Sequence, residues 1–186
     1  MSTTLQLSID DYEEMISRGA FDHLRGKKTE LIRGELREVS PQRRPHNKTV
    51  NFLNRWSSRL QLPDEVEISI AGPIRLPAFD SEPEPDVAWF TIRDDADRHA
   101  EPDEVFLIIE VSHTSQKFDL GAKALLYSQA GIIDYWVVEV PARVVHVFRT
   151  PTPSGYEQHQ QFSVGEEVRP LRFPTSSLNI SELFAR

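Results

Sequence analysis

The 186-residue sequence contains no cysteine. This absence excludes disulfides, thiolate zinc sites and cysteine nucleophiles. The sequence also lacks any apolar run approaching the roughly 20 residues that a membrane-spanning helix needs. Residues 1–15 lack the basic start and apolar stretch of a secretory signal. We therefore expect a cytoplasmic protein without a membrane segment.

The sequence contains fewer basic than acidic residues. Its 21 lysines and arginines and 29 aspartates and glutamates give a formal net charge of −8. An acidic chain is repelled by phosphate backbones, which counts against tight, sequence-independent DNA binding. The charges are uneven, however, since residues 42–59 contain no acid. Five basic residues lie in this stretch: Arg43, Arg44, Lys48, Arg55 and Arg59. It is either a local phosphate-binding strip or an ordinary solvated helix face.

The length and periodicity predict one α/β (α+β) domain over residues 1–186. Its mixed central sheet should contain about six to eight strands flanked by helices, with additional strands near both ends of the chain. Helical spacing of apolar residues occurs over 8–19, 46–62 and 119–130. Strand patterns occur over 29–40, 66–76, 85–91, 105–111, 134–150 and 156–164, and those at 29–40 and 134–150 are hairpins.

Two acids adjoin apolar strand patterns. Asp86 precedes one in "EPDVAWF", and Glu110 ends the apolar run of "VFLIIE". If the two strands pair as neighbours, both carboxylates converge at one edge of the sheet. Two close buried carboxylates need a cation, a proton or water. Mg²⁺ or Mn²⁺, hard ions with oxygen ligands, would meet this need, although either acid alone also fits a strand end that faces solvent.

The predicted helix 119–130 places a lysine among its apolar side chains. At about 100° per residue, Lys123 falls between Tyr127 and Ala130 on the arc that should pack against the sheet. A lysine there has a buried stem and an ammonium directed at whatever the helix covers. It would either form a structural salt bridge or stabilise developing negative charge in a reaction. Tyr127 itself is expected to be a packed core tyrosine.

Several stretches resemble the Uma2 family of endonucleases, which belongs to the PD-(D/E)XK superfamily with the restriction-endonuclease-like fold. The most specific likeness covers residues 105–139, including "DLGAKALLYSQAGIIDYWVVE". "TELIRGELREVSP" near the start and "LNISELF" near the end are also similar to the family pattern.

The resemblance implies site residues. Asp86 would be the aspartate of the PD motif and Glu110 the acid of the E-x-K half, and the two would bind the metal together with the backbone carbonyl of Val111. The superfamily lysine position is Ser112 here, and in the Uma2 pattern the lysine lies on the next helix, at Lys123. The resemblance also suggests Glu30 and His46 as further site residues. Either could instead be structural, His46 as a helix cap and Glu30 as an arginine partner.

The function expected from these residues is metal-dependent hydrolysis of DNA, with DNA bound weakly along residues 43–59. A homodimer, formed through an exposed hairpin at 135–150, would bring two basic strips onto one duplex. The alternative is a non-catalytic binding or assembly module that retains the nuclease fold. A two-carboxylate glycosidase is the weaker third alternative, because Trp56, Trp89 and Trp136 all lie in segments that should be packed rather than in an exposed sugar groove.

Overall fold

The computed structural model describes residues 5–22, 28–39, 43–92 and 98–185. These residues form both helices and strands, as the sequence periodicity predicts. The helices are α1 (Ile9–Ser17), α2 (Arg44–Arg59), α3 (Ala124–Gln129) and α4 (Ile180–Leu183). The strands are β1 (Lys28–Ile32), β2 (Glu35–Val39), β3 (Val66–Ile70), β4 (Val87–Thr91), β5 (Val105–Ser112), β6 (Asp134–Glu139), β7 (Val144–Thr152), β8 (Gly155–Ser163), β9 (Glu167–Val168) and β10 (Leu178–Asn179).

Six strands form the central sheet, in the order β3-β4-β5-β6-β7-β8. The β5–β6 pair is parallel, and the other neighbouring pairs in this sheet are antiparallel. The apolar run at 105–109 predicts a central strand, and β5 is buried along almost its whole length. The mixed sheet is thereby confirmed, and so are additional strands outside it near both ends, in the pairs β1–β2 and β9–β10.

The sheet has a hydrophobic cluster on each face. Helices α2 and α4 pack on one face, where Trp56 stacks on Trp89 and Trp136 with ring centroids 5.3 and 6.2 Å apart. Helix α3 packs on the other face, where it buries Leu126 and Tyr127. The three tryptophans thus lie in the packed interior, as expected, and do not line an open groove.

The hairpin of β1 and β2 is a separate two-stranded sheet. Its turn places Arg33 and Gly34 at φ angles of 52° and 75°, the left-handed pair that a two-residue hairpin turn requires. A Cβ at Gly34 would lie 2.9 Å from the Gln6 side chain, so glycine is also required sterically. Across the hairpin, Glu30 is the direct partner of Arg37, so both side chains project from the same face.

The two elements next to the acids lie within one residue of their predicted bounds, but the type of one helical turn is wrong. The strand predicted over 105–111 is β5, which ends at Ser112, so Glu110 lies two residues before its end. The predicted helix 119–130 begins with one turn of π-helix, Phe118–Lys123, and becomes α-helical only from Ala124. A π-turn carries one extra residue per turn and shifts the side chains that follow it. Apolar spacing at 100° per residue cannot detect such a turn.

The predicted exposure of the 135–150 hairpin is also wrong. Its strands β6 and β7 are inner strands of the sheet and are largely buried. The exposed residues at its tip are 141–143, in the turn. The edge of the sheet on this side is the polar strand β8.

Within the described ranges, no helix is both long and apolar enough to cross a membrane.

Candidate active site

Asp86 is held where β4 begins, beside the neighbouring strand β5. Its Oδ2 accepts a hydrogen bond from the backbone N–H of Val111 at 2.7 Å. The same oxygen lies 3.1 Å from Nε2 of His46, which reaches the site from the first turn of α2. The antiparallel pairing of β4 with β5 therefore brings Asp86 level with the end of β5, and His46 fixes its orientation from the opposite side.

Lys123 lies between two carboxylates on the other side of the site. Its Nζ is 2.8 Å from Oε1 of Glu110 and 3.2 Å from Oε1 of Glu30. The hydroxyl of Tyr127, one helical turn further on, donates to the same Glu110 oxygen at 3.1 Å. Glu30 Oε1 also accepts the backbone N–H of Glu84 at 3.0 Å. The lysine is thus fixed by contacts from both β5 and the β1–β2 hairpin.

Every one of these side chains is nearly removed from solvent. The exposed fractions are 7% for Asp86, 5% for Glu110, 4% for Lys123, 6% for Glu30 and 8% for His46. Burying charge is costly unless it is paired, so the ion pairs are a condition for burying this site at all.

Burial and neighbouring charges shift the pKa values in this cluster. Burial raises the pKa of Glu110 well above its ordinary value, and Lys123 only partly offsets this, because Asp86, Asp119 and Glu30 repel a further negative charge. For Lys123, burial alone would lower the pKa, but the surrounding carboxylates, Glu110 first, raise it above the ordinary lysine value. The ammonium is therefore charged, and it is the cation that holds the acids together.

The pKa of His46 is also raised above its ordinary value. Burial would lower its pKa, but the hydrogen bond and charge of Asp86 outweigh burial and raise the pKa overall. The positive form of His46 is thus favoured next to Asp86.

These side chains form the floor of an open pocket of about 440 Å³. We call it the acidic pocket, because six carboxylates line it: Glu30, Glu38, Glu84, Asp86, Glu110 and Asp119. The lysine and arginine side chains in its lining are Lys123 on the floor and the exposed Arg37 and Arg43. Carboxylates thus outnumber the lysine and arginine side chains in the lining, as at a site that attracts cations.

The donor set fits a hard divalent cation in ligand type and in charge. Burial first, and then repulsion by nearby acids, raise the pKa of Glu110. Oxygen ligands suit Mg²⁺ and Mn²⁺, and a cation near Glu110 would offset both effects. In the part of the chain that the structure describes, however, no three His, Asp or Glu side chains are grouped closely enough to hold one ion. The bonds from Lys123, His46 and Val111 already occupy oxygens of the two central acids.

The model of the Uma2 family, described as "Putative restriction endonuclease", matches residues 9–181. The chain belongs to the Uma2 family. The match covers the pocket-forming segments described above, from the β1–β2 hairpin through α3.

A crystal structure supports the same fold for this Uma2 protein. It is described as "a putative nuclease belonging to DUF820" from Anabaena variabilis ATCC 29413. The two chains are 15% identical, with a TM-score of 0.75 over 96% of this chain and 98% of the other. At that identity the likeness establishes the nuclease fold and does not establish the chemistry of the site. No curated protein matches the chain.

The acidic pocket of this Uma2 protein contains all six residues that were predicted for the site. Asp86, Glu110, Val111 and Lys123 line it together with Glu30 and His46. Tyr127 is a buried core residue, as expected, and it also donates to Glu110.

Asp119 is a further pocket residue that was not predicted. It lies at the pocket, is 5% exposed and accepts a hydrogen bond from Ser115 at 2.5 Å. Its spacing of four residues from Lys123 was a usable signal, because residues i and i+4 share a helix face. Glu38 and Glu84, which also line the pocket, carried no comparable pattern.

Proposed function

We propose that this Uma2 protein is a metal-dependent endonuclease that hydrolyses phosphodiester bonds in DNA. The family supports a nuclease, and enzymes of the restriction-endonuclease-like group generally use divalent metals. The observation that carries the proposal is the buried Lys123, the last residue of the π-turn, which is paired with Glu110 and Glu30 at the floor of the acidic pocket. A structural salt bridge alone would not require four further carboxylates in the lining of the same pocket.

In this proposal Asp86 and Glu110 would hold Mg²⁺ or Mn²⁺, together with the backbone carbonyl of Val111. The bound ion would lower the pKa of a water ligand and neutralise charge on the phosphate oxygens. His46 keeps Asp86 in position through the 3.1 Å contact, and the Val111 N–H does the same from the strand. These two contacts set the direction of the Asp86 carboxylate before any substrate enters.

Lys123 would stabilise the negative charge that builds up on the phosphate during attack. Its ammonium is held on two sides by Glu110 and Glu30, so it cannot swing away. A charge that is fixed before the reaction costs no reorganisation when the transition state forms, which is the usual source of electrostatic catalysis. Glu30 in this proposal positions Lys123 and does not itself contact the phosphate.

Helix α2 would guide the DNA strand to the pocket. Arg44, Lys48, Arg55 and Arg59 fall within about 60° of arc on a helix, and all four are exposed. Arg43, immediately before α2, lines the pocket itself. The basic strip therefore begins at the pocket and runs along the outside of the helix, a geometry suited to a phosphate backbone.

Cleavage of supercoiled plasmid tests the proposal. We expect the native protein to nick or linearise the plasmid with Mg²⁺ or Mn²⁺ and to leave it intact in EDTA. Glu110→Gln should abolish cleavage, while Glu157→Gln, at an exposed site on β8, should cleave like the native protein. Equal cleavage by native protein and Glu110→Gln would contradict the proposal, because it would come from another site or another protein.

One observation favours a second candidate, a non-catalytic module that retains the fold. Lys123 already neutralises part of the carboxylate charge, and within the described ranges the acids are not gathered into a three-ligand site. Such a module would bind its partner equally well with and without divalent metal. It would also keep that binding in Asp86→Ala, whereas the endonuclease would lose metal binding.

A further inference from the structure

Arg37 occupies the wall of the acidic pocket that the β1–β2 hairpin provides. It is exposed on β2, directly across the hairpin from Glu30, and both side chains line the pocket. Glu30 is buried against Lys123 on the floor, whereas Arg37 is exposed at the mouth. One face of the hairpin thus carries a buried acid and an exposed cation side by side.

The guanidinium of Arg37 is supported by an aromatic ring. Its Cζ lies 4.4 Å from the ring centroid of Phe118, the first residue of the π-turn that leads to Lys123. Among the residues that the structure describes, Arg37 forms no ion pair with a carboxylate. Lys123, in contrast, is already engaged by Glu30 and Glu110. Stacking on a ring leaves the N–H edge of the guanidinium free to bind an anion.

We propose that Arg37 is a phosphate-binding residue of this pocket, and that its ligand is the nucleic-acid phosphate next to the one that is cut. This inference rests on the proposed nuclease function. The cut phosphate must reach Lys123 and the acids on the floor, so the next phosphate of the same strand lies nearer the mouth. Arginine binds such a group through paired N–H donors.

The charge of the pocket explains why such a residue is needed. A phosphate that approaches six carboxylates is repelled unless cations meet it on the way in. Phe118 fixes the guanidinium in place and so reduces the entropy lost when the phosphate binds. Arg37 is therefore a substrate-binding residue, and Phe118 positions it.

The salt dependence of DNA binding tests this role. Binding of a short fluorescein-labelled duplex is followed by anisotropy in Ca²⁺, over a range of NaCl concentrations. Losing one phosphate contact should reduce the slope of log K against log salt by about 0.9. We expect that reduction in Arg37→Ala, together with severalfold weaker binding. Arg37→Lys should retain most of the slope, because the charge remains.

Arg172→Ala is the matched control. Arg172 is also an exposed arginine stacked on a phenylalanine, Phe106, with 5.6 Å from Cζ to the ring centroid, but it does not line the pocket. Its removal should leave the slope unchanged.

In cleavage assays, Arg37→Ala should raise KM severalfold and change kcat little, because its contact is with a phosphate that does not react.

The failures of the two proposals are distinguishable. If native protein binds and cuts DNA while Arg37→Ala keeps the native slope and KM, the role of Arg37 is wrong and the nuclease proposal stands. A fall in kcat at unchanged KM would also overturn it, because Arg37 would then act on the reacting phosphate. If native protein neither binds nor cuts DNA, the nuclease proposal itself fails, and the inference with it.

Discussion

At the scale of single residues, Lys123 is the side chain on which the pocket depends most. It is the cation directly between Glu110 and Glu30, and both acids are nearly inaccessible to water. Removing one member of a buried ion pair leaves the other charges uncompensated, which typically costs about 3–5 kcal/mol. Removing Lys123 should therefore lower the stability of the fold, in addition to its proposed effect on catalysis.

We predict that Lys123→Met lowers the free energy of unfolding at neutral pH by about 3–5 kcal/mol and abolishes plasmid cleavage. Urea denaturation followed by fluorescence measures the first effect. Lys117→Met, an exposed position in the segment just before the π-turn, should change stability by less than about 0.5 kcal/mol. Equal stability of Lys123→Met and native protein would mean that the buried pairs contribute nothing.

Residue types and spacing predicted part of this site and missed another part. Lys123 was predictable because a lysine among apolar helix positions must direct its charge into the packed side. Glu30 and His46 were not predictable from their local sequence, because their neighbours in space are 93 and 40 residues away along the chain. Only the family resemblance pointed to them, since pattern analysis reaches a few residues in each direction.

At the scale of elements, helix α1 is held by ion pairs to Arg75, which lie beside a buried glutamate. Arg75 Nε contacts Glu13 on α1 at 2.8 Å, and Arg75 also pairs with Asp10. Glu82, beside them, is 3% exposed, and its Oε2 has no hydrogen-bond partner among the described residues. Burial raises the pKa of Glu82 from 4.5 to about 7, and Glu13 adds to the effect.

This raised pKa has a defined consequence for stability. A carboxyl with a higher pKa in the folded than in the unfolded chain binds protons more strongly when folded. Its contribution to stability is therefore present below about pH 4.5 and is lost as pH rises through about 7. Glu82 should thus destabilise the fold progressively between these two values.

We predict that Glu82→Gln, which stays neutral, matches the native protein near pH 4.5 and is more stable by about 1–3 kcal/mol near pH 8. Urea denaturation at both pH values measures the difference. Glu14→Gln, at an exposed position on α1, should show no such pH dependence. A Glu82→Gln protein that is less stable than native at the higher pH would show that Glu82 is stabilising when ionised.

The elements were largely predictable, and their exact ends were not. Ser8 was expected to begin a helix, and its hydroxyl accepts the Asp11 N–H at 3.1 Å as the N-cap of α1. The π-turn at Phe118–Lys123 was not predictable, because the apolar spacing that indicates a helix does not distinguish a π-turn from an α-helical turn. The exposure predicted for the 135–150 hairpin was wrong for a similar reason, since sequence patterns did not reveal that β8 would cover its edge.

At the scale of the whole molecule, the acidic net charge and the basic strip on α2 have opposite effects on DNA binding. A net charge of −8 weakens binding to any polyanion, so DNA affinity should be low and strongly dependent on salt. The homodimer that would double the basic surface stays a prediction, and the buried 135–150 hairpin no longer supplies its interface. Light scattering at micromolar concentration distinguishes monomer from dimer.

The proposed function requires that Asp86 and Glu110 together hold a divalent metal. Calorimetric titration of Mn²⁺ into the native protein and into Asp86→Ala measures whether they do. We predict that native protein binds Mn²⁺ and that Asp86→Ala does not, while both remain folded by circular dichroism. Absence of binding to the native protein, or equal binding to both, would contradict the claim and leave the acidic pocket as a structural ion-pair cluster.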